Sequence, residues 1–304
     1  MTQKIRRIIF MCFGIAGILC CFSVKAQWAR VYANAPKGTN FLELTTANVN
    51  SNTWVDAAIP SDYKSRYNSA SLIYERTFSG LRKNSLGLGV IVPAARLLSF
   101  NNATNQVVTN IEGMGDMGFL LDQNLWGAPA LTKEEFEKTP ARTYSGLHFI
   151  FTIPTGKYDA SSPTNIGSNR TSLEATYQYT QVWDKGHQQL DIYANSYFYG
   201  DNTQYLETET LSQNPVFEIQ AYYSINFSAV SWFELGATYS AGGKTYVNKV
   251  QTSNSQSNFV LAAGLSTHAW PGSLITFNYN STVYHPVNTP YSGVFILQLI
   301  QVFY

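Results

Sequence analysis

Charged and aromatic side chains recur on one side of a run of alternating segments. They are Arg170 and Glu174 in 169–183, Asp191, Tyr193 and Tyr197 in 189–200, Glu218 and Tyr222 in 217–225, and Trp232 and Glu234 just beyond. Carboxylates set around a narrow aqueous path favour cations, and Tyr and Trp rings stack on aromatic or oligosaccharide solutes. The same nine residues can equally fill a closed interior and hydrogen-bond across it, with Arg170 offsetting Glu174, Glu218 or Asp191. Other chemistry is poorly supported. His148, His187, His268 and His285 are scattered, and His148 alone falls mid-segment on a polar face. Pairing with Ser or a carboxylate needs a proximity that the spacing does not supply, so His148 reads as a lining residue bonded to polar neighbours. Gly113-Met114-Gly115-Asp116 lacks the following helix of a phosphate loop and the repeated acids of a calcium loop, and glycines in a strand mark a bend or bulge. The expectation is a non-enzyme without catalytic residues, cofactor or metal.

The elements that must position these residues are strands. In 169–183 the odd positions include Leu173, Ala175, Tyr177 and Tyr179, whereas the even positions from Arg170 to Thr180 are all polar. In 189–200 Leu190, Ile192, Ala194 and Phe198 oppose Asp191, Tyr193, Asn195, Tyr197 and Tyr199. This period of two marks strands with one apolar face. About twelve are expected, near 39–47, 66–78, 86–98, 110–125, 145–154, 169–182, 188–201, 214–225, 231–240, 257–267, 273–283 and 291–304. From residue 154 the connections alternate between long and polar (155–168, 202–213, 241–256) and short (183–187, 226–230, 268–272). Alternate long and short connections are the habit of an up-and-down transmembrane β-barrel, with short periplasmic turns and longer external loops. The fold class is therefore all-β, an antiparallel transmembrane barrel of about twelve strands. Segment 126–143 breaks the parity. Its Thr132-x-x-Glu135 is a capping box before EEFEK, which predicts a short helix in a periplasmic insertion, either a plug or docking element or an ordinary loop helix.

Composition and the two ends agree with export to the outer membrane. Charged residues make up 13% of the 304, about half the level usual in soluble proteins, and aromatics 14%. Lys4, Arg6 and Arg7 precede an apolar run from Ile8 to Val24, and Val24-Lys25-Ala26 suits signal peptidase. Residues 1–26 are read as a cleaved signal peptide and 27–304 as the barrel; an uncleaved anchor is the alternative. Cys12, Cys20 and Cys21 all lie in that leader, so the mature chain has no disulfide. Without Lys4, Arg6, Arg7 and Lys25 there remain 16 basic residues against 19 acidic, a net charge of −3 that gives no reason to expect a nucleic-acid partner. The sequence closes on VFILQLIQVFY. Counting back from Tyr304 assigns Val302, Ile300, Gln298 and Ile296 to the lipid-facing row, with an aromatic at the interface. Such a terminal strand is what the barrel assembly machinery recognises.

Several blocks also resemble a known family. ARVYANAPKGTNFLEL (29–44), YERTF (74–78), GMGDMGFLLDQNLWGAPAL (113–131), IPTGKYD (153–159), NIGSNRTSL (165–173), QNPVFEIQAYYSI (213–225) and GGKTYVN (242–248) are similar, in order, to exported proteins of the MetA-pathway of phenol degradation family. The resemblance implies an outer-membrane barrel associated with uptake of small hydrophobic or aromatic compounds. The chain departs from the family where Thr171 and Glu174 replace its usual aromatic and proline after NIGSNR. The alternative function is a structural or surface-interaction barrel with a plugged lumen, whose loops 48–65, 155–168 and 241–256 do the work.

Overall fold

A computed structural model describes residues 28–53, 63–162, 164–252, 255–286 and 291–304. The signal segment read at 1–26 lies outside these residues. The described strands are β1 Asn40–Thr53, β2 Tyr63–Ser79, β3 Ser85–Asn101, β4 Val107–Met114, β5 Met117–Trp126, β6 Tyr144–Ile153, β7 Ser172–Trp183, β8 Gln188–Tyr199, β9 Asn202–Tyr205, β10 Glu209–Gln213, β11 Val216–Asn226, β12 Ser231–Gly242, β13 Thr245–Val247, β14 Val250–Gln251, β15 Gln256–Thr267, β16 Ser273–Tyr284 and β17 Ser292–Phe303.

Thirteen of them form one antiparallel sheet in which β4 and β5 both pair with β3 as halves of a single interrupted strand. The sheet closes where β1 meets β17, from Asn40 opposite Phe303 to Ser51 opposite Ser292. The result is a twelve-strand barrel, the expected fold class. Closure removes every free edge, which is what permits strands to cross a bilayer. Alternation does the sorting. Leu72, Phe119, Phe217, Ile219, Leu235 and Phe277 stand on the exposed outer face, while Thr176, Gln178, Gln220, Asn278 and Gln298 are buried inside.

Three expectations need correction. The last strand faces the other way: Gln298 and Ile296 are buried inside, whereas Phe295, Leu299 and Phe303 are exposed. Gln298 sits beside Thr45 and Thr276 in the register. Because β17 is apolar on both faces, hydropathy could not choose between them, and the cost of placing an amide in hydrocarbon did. Second, the loop expected at 48–65 is shorter, since β1 and β2 continue to Thr53 and from Tyr63. Third, the polar loops 202–213 and 241–256 carry structure of their own. β9, β10, β13 and β14 form a separate four-stranded sheet around Tyr205, Leu211 and Val247.

The break between β4 and β5 falls at Gly115-Asp116 and inverts the facing parity: Met114 and Phe119 are both outward. Asp116 uses the interruption to hold the 155–168 connection. Its Oδ1 accepts from Gly156 N at 2.8 Å, and its Oδ2 accepts from Ser168 N at 2.7 Å and Ser168 Oγ at 2.6 Å. Bonds to a charged acceptor contribute about 1.5–3 kcal/mol each. Asp116→Ala is therefore expected to free the loop without opening the barrel, seen as proteolysis within 155–168 while the gel mobility of the folded form is kept.

At the opposite end, which carries Tyr304, segment 126–143 contains helix α1, Lys133–Lys138. Glu135 N donates to Thr132 Oγ1 at 3.3 Å and Thr132 N to Glu135 Oε2 at 2.8 Å. The Thr132 backbone bond first, then its side chain, hold the Glu135 carboxyl below the ordinary range. The segment also ties the residues leading into β1 to the end of β17, because Lys37 N donates to Leu131 O at 2.8 Å and Lys133 Nζ lies 4.2 Å from the Tyr304 ring centroid.

Candidate functional site in the barrel interior

Eight of the nine candidate residues sit on the inward face, as the alternation of β7, β8, β11 and β12 dictates, and Arg170 is buried in the connection just before β7. The structure gathers them into subgroups. Glu174 and Tyr197 are cross-strand neighbours. Glu218 accepts from Tyr197 OH at 3.0 Å, Asn195 Nδ2 at 3.2 Å and Gln220 Nε2. Tyr193 and Tyr222 approach with ring centroids 6.1 Å apart, and Gly236 makes room for the Tyr222 ring, which any Cβ there would strike. Arg170 stands apart near the loop-bearing rim, donating to Gln213 Oε1 and lying over the Tyr199 ring at 4.7 Å.

Periodicity did not reveal what fills the middle. Residues 28–33 have no strand pairing; they turn across the lumen and touch both sides of the wall. Trp28 packs with Ala47 and Ile296, and Ala29 with Tyr193, Tyr222 and Ala262. Ala29 N donates to Glu234 Oε1 at 3.3 Å, Arg30 N to Asp191 Oδ2 at 2.9 Å and Tyr193 OH to Trp28 O at 3.2 Å. Tyr32 stacks on His148, centroids 3.6 Å apart at 14°, and its carbonyl accepts from Tyr144 OH at 3.2 Å. The plug is thus held by side chains of the wall. The available signal was the density of large residues, Trp28, Arg30 and Tyr32, in an unpatterned stretch before the first strand.

Beneath Tyr32 runs a chain of polar contacts. His148 Nδ1 lies 2.9 Å from Asp122 Oδ1 and Nε2 lies 2.8 Å from Gln178 Oε1. Gln178 Nε2 donates to Thr180 Oγ1 at 2.7 Å, and Thr180 Oγ1 donates to Asp191 Oδ1 at 2.6 Å. The imidazole is thus gripped on one edge by a carboxylate and on the other by an amide. The arrangement locks a lining histidine in place. Glu43, Glu75 and Asp122 add further inward carboxylates, so the interior is strongly acidic. Among the described residues, no group of three His, Cys, Asp or Glu is disposed to hold a metal ion.

Comparison with known proteins places this geometry. Similar solved structures include the COG4313 outer membrane channel from Pseudomonas putida F1, with a TM-score of 0.78 at 15% identity, covering 92% of this chain and 100% of that one. The transport unit of the autotransporter AIDA-I from Escherichia coli superposes at 0.54 and 7% identity, covering 97% and 99%. The β domain of the Bordetella autotransporter BrkA does so at 0.52 and 8%, covering 88% and 100%. At these identities the likeness is one of fold, that of outer-membrane barrels. A search of curated proteins finds no match. The family described as "Putative MetA-pathway of phenol degradation" matches residues 45–295, most of the chain, and the protein belongs to that family.

Proposed function

We propose that this chain is an outer-membrane channel for small hydrophobic or aromatic solutes, exported through a cleavable signal at 1–26, with segment 28–33 as its internal plug. The observation that carries the reading is the filling itself. A wall lined by Tyr193, Tyr197, Tyr222 and Trp232 is obstructed by a separate length of chain, held through hydrogen bonds and ring contacts that are individually weak and exchangeable. A barrel built only for rigidity can pack its lumen with wall side chains, as eight-stranded barrels do. Twelve strands leave room for a removable insert. The family's association with phenol degradation supports the solute class, and membrane lipid and the assembly machinery are the other partners that this reading requires.

Purified protein is expected to migrate faster on a gel before boiling than after, and to fractionate with the outer membrane. In planar bilayers it should carry a small cation-preferring current and, in liposomes, admit phenol-like solutes. Glu174→Gln together with Glu218→Gln removes two inward charges at nearly constant volume. Cation preference should fall, by an amount that shrinks as salt rises. The alternative, a surface-interaction barrel with a permanently plugged lumen, draws support from the separate external sheet around Tyr205, Leu211 and Val247. Absence of both ion current and aromatic flux would replace the channel reading with that one.

A further inference from the structure

Arg30 occupies a seat made by the barrel wall. Its guanidinium carbon lies 4.7 Å from the centroid of the Trp232 ring, and its Nε donates to Ser224 Oγ at 2.9 Å. Asp191 and Glu234 are the carboxylates whose charge reaches it. Two observations separate this seat from ordinary packing. The Arg30 backbone has φ 63°, in the left-handed region that non-glycine residues seldom enter and that persists only when surroundings enforce it. The turn, closed by Ala33 N donating to Arg30 O at 3.1 Å, thus adopts a disfavoured geometry while delivering a cation to Trp232. The fit is also incomplete, since Arg30 Nη2 and Glu234 Oε2 are buried without a well-formed hydrogen bond. Glu234 is 1% exposed, and its carboxyl lies among Ala29 N and the Trp232 and Asn278 side chains.

A flat, weakly hydrated cation suits the Trp232 face better than a compact ammonium does. One N–H edge of such a cation would meet Ser224 as Arg30 Nε does, with the charges of Asp191 and Glu234 acting on it from further off. The remaining inward acids, Glu43, Glu75, Asp122, Glu174 and Glu218, bias the whole lumen towards positive solutes. We propose that the Trp232, Ser224, Asp191 and Glu234 seat is a recognition subsite for amidinium- or guanidinium-bearing organic solutes, and that Arg30 fills it as an internal surrogate which such a solute displaces. The proposal deepens the channel reading and rests on it for the use made of the site, whereas occupancy of the seat is measurable without transport.

The test uses the full mature barrel in detergent, with closure of every variant checked by its mobility before boiling. Calorimetric titration compares benzamidinium with its neutral analogue benzamide. Arg30→Ala should bind benzamidinium about tenfold more tightly than the unsubstituted protein, the scale of one desolvated cation–π and carboxylate contact, with no matching gain for benzamide. Adding Glu234→Gln, or separately Trp232→Leu, to Arg30→Ala should abolish most of that gain. Equal affinity with and without Arg30, equal gains for the charged and neutral probes, or insensitivity to both second substitutions would each overturn the proposal. If Arg30→Ala does not close, Arg30→Gln is titrated in its place; failure of both to close makes Arg30 a structural residue and also overturns it. Liposome flux of benzamidinium separates the two readings. Binding gained without flux sinks the channel and leaves the seat, and flux without the gain does the reverse.

Discussion

A mature chain lacking residues 28–33 is expected to carry a several-fold larger single-channel current than the intact protein. Those residues cross the lumen between β1 and β17 on one side and β6 and β8 on the other, and their polar contacts end on wall groups that water can satisfy once the segment is gone. Replacing protein hydrogen bonds by water bonds costs little, whereas loss of the buried Trp28 and Tyr32 contacts lowers stability by a few kcal/mol, roughly that of a large aromatic truncation. The barrel should therefore stay closed, because its ladders involve none of these residues. Cation preference should increase, as Arg30 no longer offsets Asp191 and Glu234. Planar-bilayer recording of intact and shortened protein at equal salt decides the matter. An unchanged current would mean that the barrier lies elsewhere, in the four-stranded sheet over the other mouth.

Ile192→Arg is expected to destabilise the barrel by about 2–4 kcal/mol, the cost of a cation on the lipid face near mid-depth. Ile192 stands outward in β8, opposite Tyr179 on one side and Ala221 on the other. The neighbouring inward position is no neutral control. Periodicity alone suggests that Asp191→Arg should be mild, but Asp191 accepts from Thr180, Gln189 and the Arg30 backbone, so a cation there repels Arg30 and unseats the plug. Ser240→Arg is the proper comparison. It is inward, directly opposite Glu218 in the register, and gains a carboxylate partner, so it should cost well under half as much. Denaturant midpoints in detergent micelles measure both, and equal costs would mean that the facing assignment of β8 or β12 is wrong.

Legibility differed between elements for a physical reason. Strands β7, β8, β11 and β12 have one polar and one apolar face, so their register against lipid was readable from the period of two. Their inward residues, including Glu174, Asp191 and Trp232, could be named without coordinates. Strand β17 has two apolar faces, and counting from Tyr304 gave the wrong one. A single amide, Gln298, carried the information, and only its neighbours Thr45 and Thr276 showed which side it had to occupy. The interruption at Gly115-Asp116 was marked by its glycines, yet the partners of Asp116 lie about forty to fifty residues further on, at Gly156 and Ser168.

What the sequence determined by itself is the barrel. Alternation, connection parity and the near absence of charge on one face are local properties, and closure of about twelve such strands follows from the need to pair every backbone group in lipid. What only the tertiary structure decided is how the interior is filled. The contacts of Trp28, Arg30 and Tyr32 reach residues more than a hundred positions away, from His148 to Glu234 and Ile296. No period records them, because the segment that makes them is irregular, and its conformation is set by the wall that surrounds it rather than by its own residues.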